Sequence, residues 1–110
     1  MNQLQVGNVV ININYKFDGL SEALVEDLFK LLEKWFKQKL DKYLQKKVDP
    51  ENPQAHLNIT IKKNSKGLYD WNFNFKIGSS VVIYKRENFK NITDLVNHFF
   101  DHVKEEFSKK

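Results

Sequence analysis

Residues 55–77, AHLNITIKKNSKGLYDWNFNFKI, decide how this chain folds. Leu57, Ile59 and Ile61 alternate with His56, Asn58, Thr60 and Lys62. After a break at Asn64-Ser65-Lys66-Gly67, a second run sets Tyr69, Trp71, Phe73, Phe75 and Ile77 against Asp70, Asn72, Asn74 and Lys76. A period of two sends successive side chains to opposite faces of a strand. The stretch predicts two strands joined by a hairpin turn, each apolar on one face and polar on the other. Such a sheet needs cover on one face and meets water on the other.

The cover comes from the flanking sequence. Upstream, Leu24, Val25, Leu28, Leu31, Leu32, Trp35, Phe36, Leu40, Tyr43 and Leu44 recur at helical spacing over about six turns. Ser21 suits the N-cap, Glu22 and Glu26 suit the first turns, and Leu20 with Val25 fits a hydrophobic staple. Asp49-Pro50 should stop this helix, because a residue before proline is pushed out of the helical region. Its length would be on the order of 40 Å, more than a small sheet covers, so its C-terminal turns are expected to overhang or bend. Before it, Val9, Ile11, Ile13 and Tyr15 alternate with Val10, Asn12, Asn14 and Lys16 as a strand closed by Asp18-Gly19.

Downstream, Gly78-Ser79 turns the chain into a strand over 81–84. Asn88 is placed as the cap of a last helix whose stripe is Phe89, Ile92, Val96, Phe99, Phe100, Val103 and Phe107, with residues 108–110 fraying. The expected fold is α+β, in the order β-α-β-β-β-α. It is a two-layer sandwich, a four-stranded sheet with two helices packed on one face.

The 110 residues form one domain, 1–110, without repeat or linker. There is no cysteine, which excludes disulfides, thiol catalysis and thiolate zinc sites. No apolar run approaches the roughly 18 residues of a membrane span. The N-terminal residues 1–7 carry no signal-peptide pattern, so a cytoplasmic location is expected. The net charge is +4, and Arg86 is the sole arginine. Lysine contacts phosphate as a point charge and reads bases poorly, so a nucleic-acid partner would be recognised by backbone and shape.

Three basic groups are candidates. Lys34, Lys37, Lys39, Lys42, Lys46 and Lys47 crowd the second half of the first helix against Asp41 alone. Complementation of the helix dipole explains the order of the signs but not the number of lysines. Lys62, Lys63 and Lys66 lie at the hairpin, where lysine also protects sheet edges. Lys85, Arg86 and Lys90 lead into the last helix. His98 and His102 stand one turn apart beyond Asp94, a spacing that can hold a metal, yet no further ligand word accompanies them; they read as a solvent- or RNA-facing stripe. The aromatic row from Tyr69 to Phe75 suits base stacking but is needed to pack beneath the helices, and it is assigned to the core. No nucleophile with a base, paired carboxylates or phosphate loop is found, so no enzyme, cofactor or metal is expected.

The order of elements, together with LSEALVEDLFKLLEKWF at 20–36, AHLNITIKK at 55–63 and ENFKNITDL at 87–95, resembles the N-terminal domain of the ribosome hibernation promoting factor and ribosome-associated inhibitor family. The chain ends where that domain ends and so resembles the short form. The resemblance implies a non-catalytic protein that docks on the small ribosomal subunit, contacts rRNA phosphates and represses translation during dormancy. On this reading Lys34, Lys37, Lys62, Lys63, Lys85, Arg86, Lys90, His98, His102 and Lys109 would face rRNA. The protein would be a monomer off the ribosome, with no membrane or small-molecule partner. A different reading is a protein–protein module using the overhanging first helix, with Trp35, Tyr43 or Leu44 as anchor.

Overall fold

The computed structural model describes residues 3–108. Five strands and three helices follow in the order β1 (Gln3–Val6), β2 (Val9–Asp18), α1 (Glu22–Lys39), α2 (Asp41–Lys47), β3 (Gln54–Lys63), β4 (Tyr69–Ile77), β5 (Ser80–Phe89) and α3 (Ile92–Ser108). The sheet runs β1-β2-β3-β4-β5 in chain order. All neighbours are antiparallel except β2 and β3, which are parallel. A parallel pair cannot be closed by a hairpin, and α1 with α2 supplies the crossover. The class is α+β, with a mixed sheet under one helical layer.

The expected strands β2, β3 and β4 are present in the alternation the sequence carries. Leu57, Ile59 and Ile61 of β3 and Trp71, Phe73, Phe75 and Ile77 of β4 are buried, whereas His56, Asn58, Thr60, Lys62, Asn72 and Lys76 are exposed. The aromatic row is core. The Phe73 ring stands edge-on to Phe99 at 4.0 Å, Phe36 meets Phe100 at 4.8 Å, and Phe36 lies 5.4 Å from Phe75. Strand β4, α3 and α1 are thereby joined through rings, each such pair contributing about 0.5–1.5 kcal/mol beyond its buried area.

Several expectations are corrected. The sheet has five strands, not four: Leu4 and Val6 are buried, alternate with Gln3 and Gln5, and turn into β2 at Gly7-Asn8. Gly7 sits at φ +61°, as the first position of a two-residue hairpin loop requires. There are three helices, not two, because the first breaks at Leu40 (φ −113°, ψ −3°). Phe36, Leu40 and Leu44 are spaced by four, and in a straight helix each such step rotates a side chain by about 40°. The stripe would drift off the sheet; the bend returns Leu44 to the core, where it is wholly buried.

Of the two outcomes expected for these turns, to overhang or to bend, the chain bends, and α2 does not overhang. Gln45 Nε2 donates to the Val6 carbonyl at 3.2 Å, tying α2 to the end of β1. Leu44 is unavailable as a protein-binding anchor, and Trp35 and Tyr43 are half-buried against the core. The last strand extends over Ser80–Phe89 rather than 81–84, so Phe89 belongs to the strand and not to the helical stripe. Asn88 does not cap α3. It holds a left-handed conformation, φ 60°, and its amide nitrogen donates to Asp70 Oδ1 at 3.2 Å. The cap is Asn91, whose Oδ1 accepts from the amides of Thr93 at 2.8 Å and Asp94 at 3.4 Å.

The start of α1 agrees with its sequence signals. Ser21 Oγ accepts from the Leu24 amide at 3.2 Å. No helix among the described residues is long and apolar enough to cross a membrane.

Candidate nucleic-acid interface

The bend at Leu40 gathers lysines from three helices on one part of the surface. It swings α2 so that Lys42 and Lys46, one turn apart on the same face, lie beside Lys37 and Lys39 at the end of α1. Helix α3 packs alongside and adds Lys104. These five lysines, with Gln38, Asp41 and Tyr43, line a groove of about 440 Å³. Two are engaged: Lys37 pairs with Glu33 at 2.9 Å and Lys39 with Asp101 at 3.4 Å. Lys42, Lys46 and Lys104 make no ion pair among the described residues. Lys39 also lies 4.5 Å over the Trp35 ring and Lys34 5.0 Å over the same ring, which fixes both stems. The groove can accept an extended anion, and nothing in it is arranged for bond chemistry.

The hairpin lysines are separated by the pleat. Lys62 is on the helix-free face, in register with Asp18 on β2 and Asp70 on β4, so its charge is offset on both sides. Lys63 lies on the opposite face, beside Gly19, whose φ of +81° and closeness to the Lys63 side chain leave no room for a Cβ. The turn between them and β4 is built by Asn64, whose Oδ1 accepts from the amides of Lys66 at 2.9 Å and Leu68 at 3.1 Å.

Lys85 and Arg86, expected on a loop, are in β5 and face opposite ways. Lys85 joins the helix-free face in a rung with Asn72, Thr60 and Lys16. The regular β4–β5 register sets Arg86 opposite buried Trp71, on the helical side, and shifts only beyond that pair, toward Tyr69. Its guanidinium lies 4.6 Å over the Tyr84 ring and donates to the Lys85 carbonyl at 2.9 Å. His102 stacks near that Tyr84 ring at 5.2 Å, and His98 lies 5.6 Å from the Phe89 ring. Arg86, His98 and His102 thus share the seam between β5 and α3, and Lys90 is exposed just before α3. Burial raises the Tyr84 phenol above its ordinary value, and the Arg86 charge and hydrogen bond oppose that rise. Lys109 lies outside the described residues. Among those residues no group of three or more His, Asp or Glu side chains is placed to hold a metal.

Sequence reasoning thus grouped residues by nearness along the chain, and the structure regroups them. Lys37 lines the groove, Lys34 lies outside it beside Lys30 and Leu31, and Lys42, Lys46 and Lys104 are the groove lysines that make no ion pair among the described residues. The i, i+4 spacing of Lys42 and Lys46 was visible in the sequence; the approach of Lys104 was not. The helix-free face is amide-rich, with Asn14, Asn58 and Asn74 in one rung that ends at Ile83. Compared with known proteins, the chain matches no family model and no curated protein.

Proposed function

We propose that this protein is a non-catalytic RNA-docking domain that binds the small ribosomal subunit through its helical layer and represses translation in dormant cytoplasm. The observation that carries the reading is the lysine groove at the joint of α1 and α2. Three lysines there make no ion pair among the described residues, and Lys37 and Lys39 stand beside them. Five lysines against Asp41 alone along a helical groove suit phosphate backbone contacts that do not read sequence. The order of elements from β2 to α3 is that of the hibernation factors the sequence resembles, and this directs the proposal to rRNA rather than to nucleic acid at large.

Lys42, Lys46 and Lys104 take the principal phosphate contacts, with Lys37 and Lys39 beside them and Lys34 further back along α1. Arg86, Lys90, His98 and His102 form a second contact along the β5–α3 seam. Lys85 and Lys62 face the other side of the sheet and cannot engage the same stretch of RNA as the groove. The experiment is co-sedimentation with purified small ribosomal subunits over a salt series. Saturable binding that falls steeply with salt is expected. Absence of binding at low salt would overturn the proposal.

A further inference from the structure

The two edges of the sheet are unlike. Strand β1 is four residues long, and short edge strands are poor templates for a further strand. Strand β5 is ten residues long and has β4 on one side only. Its second half is guarded by Lys85, Arg86, Glu87 and the register shift at Tyr69/Trp71. Its first half, Ser80-Val81-Val82-Ile83-Tyr84, carries no charge and no proline. Val81 is 50% and Ile83 59% exposed, both on the helix-free face. Natural edges use charge, proline or bulges to prevent pairing, and this segment has none.

In place of the monomer that the sequence resemblance implies, we infer that residues 80–84 of β5 pair antiparallel with the same segment of a second copy, joining two sheets edge to edge. The hairpin at Gly78-Ser79 closes on the pair Ile77 and Ser80, which exchange hydrogen bonds as the closing pair of a two-residue loop does. Alternation along an antiparallel ladder then aims the amide and carbonyl of Val81, Ile83 and Lys85 outward. A two-fold axis at Val82 sets Val81 against Ile83 of the other copy, and Ile83 against its Val81, each as a hydrogen-bonded pair. The exposed apolar side chains cover one another on the helix-free face, and Tyr84 faces Ser80 on the helical side. Lys85 falls opposite Ser79, so no like charges oppose. A register shifted by two, centred on Ile83, would set Val81 against Lys85, and one centred on Lys85 would oppose two lysines.

The contact is small and leaves the lysine groove on the helical layer uncovered, but it borders the β5–α3 seam that carries Arg86 and His102 on Tyr84, so its test is run without RNA. Sedimentation velocity from micromolar to millimolar protein, without RNA, should show the mass rising toward twice the monomer. Ile83→Lys, exposed and outside the core, should keep the mass at the monomer value with an unchanged circular dichroism spectrum. Because the chain has no cysteine, Val82→Cys should form an intermolecular disulfide on oxidation, its non-hydrogen-bonded pair lying about 4.5 Å apart at Cα. Ile83→Cys should cross-link poorly. A wild-type mass that stays monomeric throughout, a dimer that survives Ile83→Lys, or preferential cross-linking of Ile83→Cys would each overturn this inference.

Discussion

Replacing Lys42, Lys46 and Lys104 together by glutamine removes three charges from the groove while keeping side chains of similar reach. These three make no ion pair among the described residues, so the change breaks no salt bridge of the fold. If each neutralises one phosphate, each contributes about 0.7–0.9 to the slope of log affinity against log salt. The triple variant should then have a slope shallower by about 2–3. Between about 50 and about 200 mM salt the wild-type protein should lose roughly 20- to 40-fold more affinity than the variant. Co-sedimentation with purified small ribosomal subunits at several salt concentrations measures both lines. Parallel lines for the two proteins would refute phosphate contact at the groove, and would leave dipole complementation as the role of these lysines. Glutamine is preferred to glutamate because reversal adds repulsion, and the change in slope would no longer count contacts.

Leu44→Ala should destabilise the fold by about 2–5 kcal/mol in urea titration, because the side chain is wholly buried beneath α2; a near-neutral result would restore the overhanging helix. Gly78→Ala should cost about 1–3 kcal/mol in the same titration, since φ is +55° and a Cβ there would collide with the Lys47 carbonyl oxygen. Tyr84 is a raised acid. Its unfolded form ionises first as pH climbs through its ordinary value of 10.0, and the stability it contributes at lower pH is lost through the folded pKa. Tyr84→Phe should therefore flatten the alkaline limb of thermal stability, and an equally steep limb in the variant would remove Tyr84 as its source.

The corrections to the fold have one cause: each turns on what a segment packs against. Leu4 and Val6 alternate with Gln3 and Gln5 ahead of Gly7-Asn8, a hairpin pair that is legible once the run is read as a strand. Four residues make a weak periodic signal, and that strand is held by β2 and by the helices above it. The break at Leu40 has no glycine or proline to announce it. Asn88 looks like a cap because asparagine favours caps, but it equally tolerates the left-handed region, and Asp70 selects that use.

The chain by itself determined the periods of its principal strands and helices, the cap at Ser21, the aromatic core and the absence of thiol chemistry. These depend on side-chain spacing and residue type, which are local. Tertiary structure decided which cations share a surface. Lys85 and Arg86 are adjacent in sequence yet opposed across the pleat, whereas Lys42 and Lys104 are distant in sequence yet line one groove. The physical reason is that a charged side chain is placed by the backbone it leaves. The course of that backbone, through the bend at Leu40 and the full length of β5, is set by burial of apolar neighbours and not by the charges themselves.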